Sequence, residues 1–326
     1  MKTKHLVTFV GGLVAAGAVH AAEFSWEPSG AANELDSPFS ALNVERSSFG
    51  LTYYFGAVDD AGGPLGLAAF FDPSSRISAS IDHEKDETSR FQFGPPFRNL
   101  VSTTDEYSVG GRYVQPTSKW YFGGRYAHGD IDPGISPRDI DGDTEGYGML
   151  VGKYLGADTT VELGFDSSLR QDKLGPPVCV MAPCTGSMND IKRDEWSVAA
   201  QHVWHGGALA YSLWGRIAET KGTATAHNPP ITIGSFIFPS ITTEFDIPRA
   251  NVYSAAGEIF PTRKLGVRLG YSRWDGDLAL DDAYDVSATW FVTHKVGVAL
   301  SFSRQRSTDG FVDHSDNKAV SVVGRF

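Results

Sequence analysis

The sequence predicts an all-β protein, a transmembrane antiparallel β-barrel with short periplasmic turns and long extracellular loops. Three observations carry this prediction. Apolar and polar side chains alternate in segments of about ten residues, as in a strand with one lipid-facing and one water-facing surface. The connections between these segments are short and long in turn. The last segment ends the chain on Phe326.

The composition excludes several other classes of protein. The 326 residues carry a formal net charge of −11, with 12% aromatic residues and 36 glycines. An acidic chain lacks the excess of Lys and Arg that binding to nucleic acid requires, so we expect no nucleic-acid partner. The mean hydropathy of −0.20 argues against a bundle of transmembrane helices. A soluble globular protein or a transmembrane barrel remains.

The first segment, residues 1–21, has the features of a secretory signal peptide. Lys2 and Lys4 precede an apolar stretch from Leu6 to Val19, and small residues precede the cleavage point after Ala21. We therefore expect the barrel to occupy residues 22–326.

Export also suggests that the only two cysteines, Cys179 and Cys184, are oxidised. They lie close together in a segment rich in Pro, and they can close a small disulfide loop. A zinc site is the rival interpretation, but a lone pair of cysteines without a flanking histidine has poor spacing for zinc.

The alternation is clear between Lys119 and Tyr126. A strand there places Trp120, Phe122 and Tyr126 on one face, opposite Lys119 and Arg125. The polar face of a soluble sandwich seldom needs so many charges and glycines opposite so aromatic a face. The wall of a lipid-facing barrel does combine an aromatic outer face with a charged, glycine-rich inner face.

The loops alternate in length, which a sandwich has no reason to show. Short turns are expected at 115–118, 156–158, 205–207, 261–263 and 293–295. Long polar stretches lie between the hairpins, at 85–103, 129–144, 168–193, 221–249, 276–282 and 307–316.

Thirteen alternating segments can be counted back from the C-terminus. Because both ends of such a barrel lie in the periplasm, an even number is required, and the missing strand is assigned to Ala22–Ser29. We predict fourteen strands, with twelve or sixteen as alternatives. The last segment, Lys318–Phe326, resembles the C-terminal sorting signal of bacterial outer-membrane barrels, although Gly324 stands where an aromatic residue is usual.

One stretch resembles a known family. The segment Thr52–Asp60, followed by Gly63-Pro64-Leu65 and Ala68–Phe71, is similar to a motif of uncharacterised porins of Gram-negative bacteria. The chain departs from that motif at Gly66-Leu67, where an acidic residue is expected. The resemblance implies a barrel in the outer membrane of a Gram-negative bacterium, surrounded by lipid and lipopolysaccharide.

The segments carry charges of both signs on the face predicted to point inward. A solid barrel would fill its interior with apolar side chains, so these charges indicate water inside. The interpretation is a porin or channel for passive diffusion of small hydrophilic solutes or ions. The alternative is a set of salt bridges that only stiffens the wall. The predicted inward set is Arg112, Arg125, Lys153, Arg216, Arg268 and Arg325 with Glu106, Glu162, Asp166, Glu195, Glu258 and Asp285.

Within that set, Arg216 and Arg268 are the candidates for a constriction. Both stand near the middle of a predicted strand. Arg112 and Arg125 come next, with Glu106 and Glu258 as acidic partners. If Arg216 and Arg268 line the narrow part, neutralising both shifts the ion selectivity toward cations. The sequence does not specify the solute or the oligomeric state.

Two loops have features of their own. The 221–249 loop contains the apolar run Pro229–Pro239, which is expected to plug the lumen, cover the mouth or contact another subunit. In the other, Asp139, Asp141, Asp143 and Glu145 alternate around a glycine, so a Ca²⁺ site and an ordinary acidic loop are both open. No other cofactor is expected.

An enzyme and an adhesive or structural barrel are the remaining alternatives. Proteases and lipid hydrolases of the outer membrane need a histidine beside a carboxylate at the rim. His128 with Asp130, and Asp313 with His314, are the candidate pairs, but neither comes with a recognisable nucleophile. We therefore predict that the protein is not an enzyme.

Overall fold

The computed structural model describes residues 22–37, 40–55, 64–67, 74–90, 99–132, 140–174, 188–206, 209–228, 231–233, 236–276, 280–307 and 314–325. The predicted signal peptide, residues 1–21, lies outside this part of the chain, as do Cys179 and Cys184. Within the described residues, no helix is long and apolar enough to cross a membrane.

The described residues form one closed antiparallel barrel of fourteen strands, the predicted number. Each barrel strand pairs with its neighbours along the chain, and the first pairs with the last to close the ring. The barrel strands are β1 (Ala22–Ser37), β2 (Ser40–Tyr54), β3 (Arg76–Arg90), β4 (Asn99–Val114), β5 (Trp120–Asp132), β6 (Ile140–Tyr154), β7 (Thr159–Leu174), β8 (Met188–Gly206), β9 (Leu209–Asn228), β12 (Ile241–Thr262), β13 (Leu265–Gly276), β14 (Leu280–Phe291), β15 (Val296–Ser307) and β16 (His314–Arg325).

Two short elements interrupt the barrel meander. The strands β10 (Ile231–Ile233) and β11 (Phe236–Phe238) form a separate two-stranded sheet in the connection from β9 to β12. A single turn of 3₁₀ helix, Leu65–Leu67, lies in the connection from β2 to β3.

The alternation seen in the sequence separates the two faces of the wall. On β5, Trp120, Phe122 and Tyr126 are 41, 52 and 48% exposed, whereas Tyr121 between them is fully buried. Directly paired residues share a face, so the outward assignment passes from strand to strand around the ring. Large apolar side chains cover the outer face, including Leu163, Leu213 and Leu269. This apolar surface suits contact with lipid.

The strands are longer than the sequence predicted, because they continue into the stretches assigned to long loops. The segments 85–103, 129–144, 168–193 and 221–249 contain the ends of paired strands. Barrel strands reach 22 residues in β12. Outside the bilayer both faces of a strand meet water, so the apolar and polar alternation fades while the hydrogen-bonded ladder continues.

Two apolar clusters lie on the inner side of the wall, at the end of the barrel that carries the short turns. One contains Val114, Tyr121 and Tyr154, with Leu150 packed against it. The other contains Leu67 of the 3₁₀ turn and Val203, Ala210 and Phe260 of the wall. The inside of the barrel is therefore narrowed by side chains at its periplasmic end.

The closed ladder predicts a heat-modifiable protein. Every strand is hydrogen-bonded on both edges, so detergent alone should not open the barrel at room temperature. Unboiled protein should migrate differently from boiled protein in a denaturing gel, and circular dichroism should show mainly β-structure. Identical mobility together with a helical spectrum would overturn the fold.

Candidate functional site: the barrel interior

All six residues proposed to line the pore lie on the inner face of the wall. Arg112 is paired with Gly123 and Arg125 with Gly110, on the face that also carries the buried Tyr121. Glu106 is on the same face of β4 as Arg112. Glu258 and Arg268 are paired with each other on β12 and β13. Arg216 is paired with Ser254 of the same face.

Arg216 forms an ion pair with Glu195 of the neighbouring strand. Its Nη2 donates to Glu195 Oε1, and both side chains are only about one quarter exposed. The pair runs diagonally between β8 and β9, since Arg216 lies directly opposite Ala199. One of the two arginines chosen for the constriction is therefore neutralised by its neighbour.

Arg268 also lies among acidic groups. Its Nε is 3.7 Å from Asp285 Oδ2, and Glu258 is directly opposite it in the ladder. The guanidinium stands 5.9 Å from the centre of the Trp214 ring. Two carboxylates and one guanidinium therefore share this part of the inner wall.

Arg125 and Asp166 make a third pair across two strands, with Nε 2.9 Å from Oδ1. The pair spans β6, where Gly148 lies between them in the ladder. A Cβ on Gly148 would overlap the Asp166 carboxylate. The absence of a side chain at this position lets the two charges meet over the strand.

Arg112 is held by aromatic side chains. Its guanidinium lies 5.1 Å from the centre of the Tyr121 ring, and it hydrogen-bonds Tyr154. The Tyr121 hydroxyl donates to Glu162 Oε1 at 2.7 Å. A Cβ on Gly152 would overlap the Tyr121 ring, so this glycine allows the ring to lie flat on the wall.

Sequence reasoning did not select Arg76, which is the first residue of β3. The ladder places Arg76 directly opposite Arg112 on one side and Tyr54 on the other. All three residues share the inner face. The signal that could have found it is the alternation Arg76, Ser78, Ser80, Asp82 on one face of β3.

The inward assignment of Lys153 was wrong. Lys153 is paired with the outward-facing Trp120, and its Nζ lies 5.3 Å from the centre of that ring. A lysine near the end of a membrane strand can lay its aliphatic stem along an aromatic residue and keep the ammonium at the interface. Arg325 is in β16, opposite Glu23 of β1, and its side chain lies outside the described residues.

The connection from β2 to β3 reaches the opposite wall of the barrel. Four strands separate β3 from β8 on one side of the ring, and five separate β2 from β12 on the other. Nevertheless Leu67 packs with Val203 of β8 and Phe260 of β12, and Leu65 N donates to Arg263 O at 2.9 Å. We call Pro64–Leu67 the mouth segment.

The mouth segment is buried against the wall. Leu65 and Leu67 are 1 and 5% exposed, and a Cβ on Gly66 would lie 3.0 Å from Phe260 Cε1. The departure from the porin motif at Gly66-Leu67 therefore has a packing role, because an acidic side chain at Leu67 would be buried among apolar ones. A cavity of about 190 Å³ lies beside the segment, lined in part by Gly66, Glu258 and Thr289.

The acidic residues considered for Ca²⁺ lie in a strand, where a loop was expected. Asp139 is outside the described residues. Asp141 is the second residue of β6 and is paired with Lys173 of β7. Asp143 is opposite Asp130, and Glu145 is opposite His128. Extended strand backbone does not wrap around an ion. Among the described residues, no group of three His, Cys, Asp or Glu side chains could hold a metal.

Among the described residues, neither candidate pair of a histidine and a carboxylate forms a catalytic arrangement. His128 Nε2 is 3.6 Å from Asp130 Oδ1, on the outward face of β5, and His128 Nδ1 has no hydrogen-bond partner among the described residues. Asp313 is outside the described residues, as is the side chain of His314. A catalytic histidine would hydrogen-bond its nucleophile.

The apolar run of the 221–249 loop is only partly described. β9 continues to Asn228 and β12 begins at Ile241, so the connection between the barrel strands is shorter than expected. Its centre is the hairpin of β10 and β11, whose side chains lie outside the described residues.

No protein-family model and no curated protein sequence matches this chain. Solved structures of outer-membrane barrels are similar in fold. The outer-membrane protein Omp33 of Acinetobacter baumannii is 14% identical, with a TM-score of 0.55 over 94% of this chain and 98% of that chain. The toluene transporter TodX of P. putida is 12% identical, with a TM-score of 0.56 over 95% of this chain and 91% of that chain.

The fold of this chain is therefore that of a Gram-negative outer-membrane β-barrel. Its apolar outer surface suits contact with membrane lipid. These two similar structures are an outer-membrane protein and a toluene transporter, and neither is described as an enzyme.

The ion pair of Arg216 gives a prediction about charge on the inner wall. Arg216→Ala leaves Glu195 uncompensated, so the reversal potential under a salt gradient should shift toward cation selectivity. Arg216→Ala combined with Arg268→Ala should shift it further. Adding Glu195→Ala to Arg216→Ala removes both members of the pair and should restore the wild-type value. An equal shift in that double variant would show that the two charges do not act as a pair.

Proposed function

We propose that this barrel is a channel for passive diffusion of small hydrophilic solutes or ions across the outer membrane. The observation that carries the proposal is that charged side chains face inward and are still open to solvent. The Arg125 side chain is 68% exposed, and that of Arg268 is 45% exposed. Water inside the barrel would solvate these exposed inner charges, and this need for solvation supports the proposal.

Neutral polar groups continue this wetted surface between the charges. Ser80 and Ser108 are hydrogen-bonded at 2.8 Å, and Ser272 donates to Ser254 at 2.9 Å. Both pairs lie on the inner face of adjacent strands. A lumen lined by hydroxyls and charges offers hydrogen bonds to a polar solute along its way.

The inner wall argues against a hydrocarbon as the solute. TodX, one of the similar structures, is described as a monoaromatic hydrocarbon channel. An apolar molecule gains nothing from guanidinium and carboxylate groups, and it would displace the water that solvates them. The charged residues Arg125, Asp166 and Arg268 therefore favour hydrophilic solutes in this chain.

The ion pairs do not reduce the interior to a sealed structural wall. Arg216 and Glu195 are held closely, but Arg125 remains exposed despite its contact with Asp166. A wall stiffened only by salt bridges would pack its remaining inner surface with apolar side chains. In this barrel the described inner apolar clusters lie at the periplasmic end.

The channel is tested by measuring permeation directly. Purified protein in liposomes should allow swelling in small neutral sugars at rates that fall as the sugar becomes larger, and planar bilayers should show discrete conductance steps. Toluene uptake into the same liposomes should match that of protein-free liposomes. Absence of both swelling and conductance would overturn the proposal.

The mouth segment is one of the parts of the described interior that narrow the channel. It is attached by burial of Leu65 and Leu67, each of which contributes roughly 1.5–3 kcal/mol. Leu65→Ser with Leu67→Ser should detach it and raise the single-channel conductance. The conservative pair Leu65→Ile with Leu67→Ile retains the apolar volume and should leave the conductance nearly unchanged. Equal conductance in all three proteins would show that the segment does not limit the flow.

A further inference from the structure

In the described part of the inner face, Arg76 and Arg112 form a basic pair that no acid neutralises. Arg76 and Arg112 are directly opposite each other on β3 and β4. Among the described residues, no carboxylate lies within ion-pair distance of either guanidinium. Like charges that face each other across a ladder destabilise the sheet. The two guanidinium groups would be stabilised by a negative partner, and the described chain does not supply one.

The surroundings hold Arg112 in place and bury the aromatic wall beside Arg76. Tyr54 is opposite Arg76, and Tyr121 and Tyr154 are in contact with Arg112. These three tyrosines are at most 5% exposed. Ser75 beside Arg76 accepts a hydrogen bond from Val114 N at 2.9 Å, which ties the ends of β3 and β4 together. Because Arg112 is already held, its side chain loses little conformational entropy when it binds a ligand.

The carboxylate that contacts Tyr121 is already engaged. Glu162 accepts the hydrogen bond of the Tyr121 hydroxyl and makes no ion pair with Arg112 in the described structure. Arg112 Nε is buried and has no hydrogen-bond partner among the described residues. Two guanidinium charges therefore lie near one carboxylate that makes no ion pair with Arg112. The net local charge is positive.

Arg216, Arg125 and Arg268 differ in this respect. Arg216 is paired with Glu195, Arg125 with Asp166, and Arg268 stands beside Asp285. A permeating anion gains little from a guanidinium that a carboxylate already occupies. Unlike these three residues, Arg76 and Arg112 keep positive charge that no described carboxylate neutralises.

We propose that Arg76 and Arg112 form an oxyanion-binding site at the periplasmic end of the lumen, which takes the carboxylate or phosphate group of a small solute. Guanidinium groups bind such oxygens with short charge-assisted hydrogen bonds, and two adjacent guanidiniums can share one oxyanion. The buried tyrosines exclude part of the water that would weaken the attraction. This inference rests on the proposed channel function and specifies the class of solute that the channel selects.

The test compares Arg76→Gln with a matched control. Lys153→Gln removes the same charge near the same end of the barrel, but from the outward face beside Trp120. Arg76→Lys keeps the charge and serves as the conservative variant. Arg76 is chosen for substitution because Arg112 packs on Tyr121, and its loss would disturb the wall. Each variant is first checked for the heat-dependent gel mobility of the wild type.

Bilayer recordings in potassium chloride measure block of the current by added succinate or inorganic phosphate, with glucose as the neutral probe. In the wild type at least one of the two anions should block at concentrations where glucose does not. The concentration for half block should rise about tenfold in Arg76→Gln, the loss of one charge-assisted hydrogen bond. The concentration for half block in Arg76→Lys should lie between the values of the wild type and Arg76→Gln. Lys153→Gln should match the wild type. Equal block in Arg76→Gln and wild type overturns the site.

Calorimetric titration of the detergent-solubilised protein with the same two anions provides a readout that needs no conductance. Binding that weakens about tenfold in Arg76→Gln and is unchanged in Lys153→Gln supports the site even if no current flows. In that case the channel function fails and the oxyanion site stands. Normal conductance without measurable binding of either anion overturns the oxyanion site and leaves the channel function in place.

Discussion

The structure depends on the requirement that no backbone hydrogen-bonding group be left unpaired in lipid. A sheet with free edges would expose a row of N–H and C=O groups to the hydrocarbon, so the first strand has to meet the last. Pairing of Glu23 with Arg325 and Ser29 with Ala319 closes the ring. Once the ring is closed, alternation assigns every side chain to lipid or to the interior. The inner charges follow from this constraint, since the outer positions are reserved for apolar groups.

Much of this architecture could be predicted from the sequence, because inside the bilayer the two faces meet different solvents. That contrast identified thirteen strands and the inward position of residues such as Arg216 and Glu258, and the requirement for an even number of strands added the fourteenth. It disappears where the strands leave the membrane. β3 runs on through Glu84, Lys85 and Asp86, which are polar on both faces, and sequence reasoning assigned part of that stretch to a loop.

The partners of the inner charges could not be predicted, because they depend on register. Glu195 and Arg216 meet on a diagonal that is set by the register between β8 and β9. The charge of Lys153 predicts an inward position, but its pairing with the outward-facing Trp120 places it outside. The mouth segment was missed for a related reason. Its packing on Phe260 joins parts of the chain that no local pattern connects.

That long-range packing has a consequence for how the barrel is made. Leu67 cannot find its place until β8, β9 and β12 have assembled the surface formed by Val203, Ala210 and Phe260. Contacts between residues so far apart in sequence cost much chain entropy before they return any stability, and they form slowly. The mouth segment is therefore one of the last described parts of the molecule to settle. A newly inserted barrel would pass through a stage with its strands complete and its periplasmic opening wider than in the finished protein.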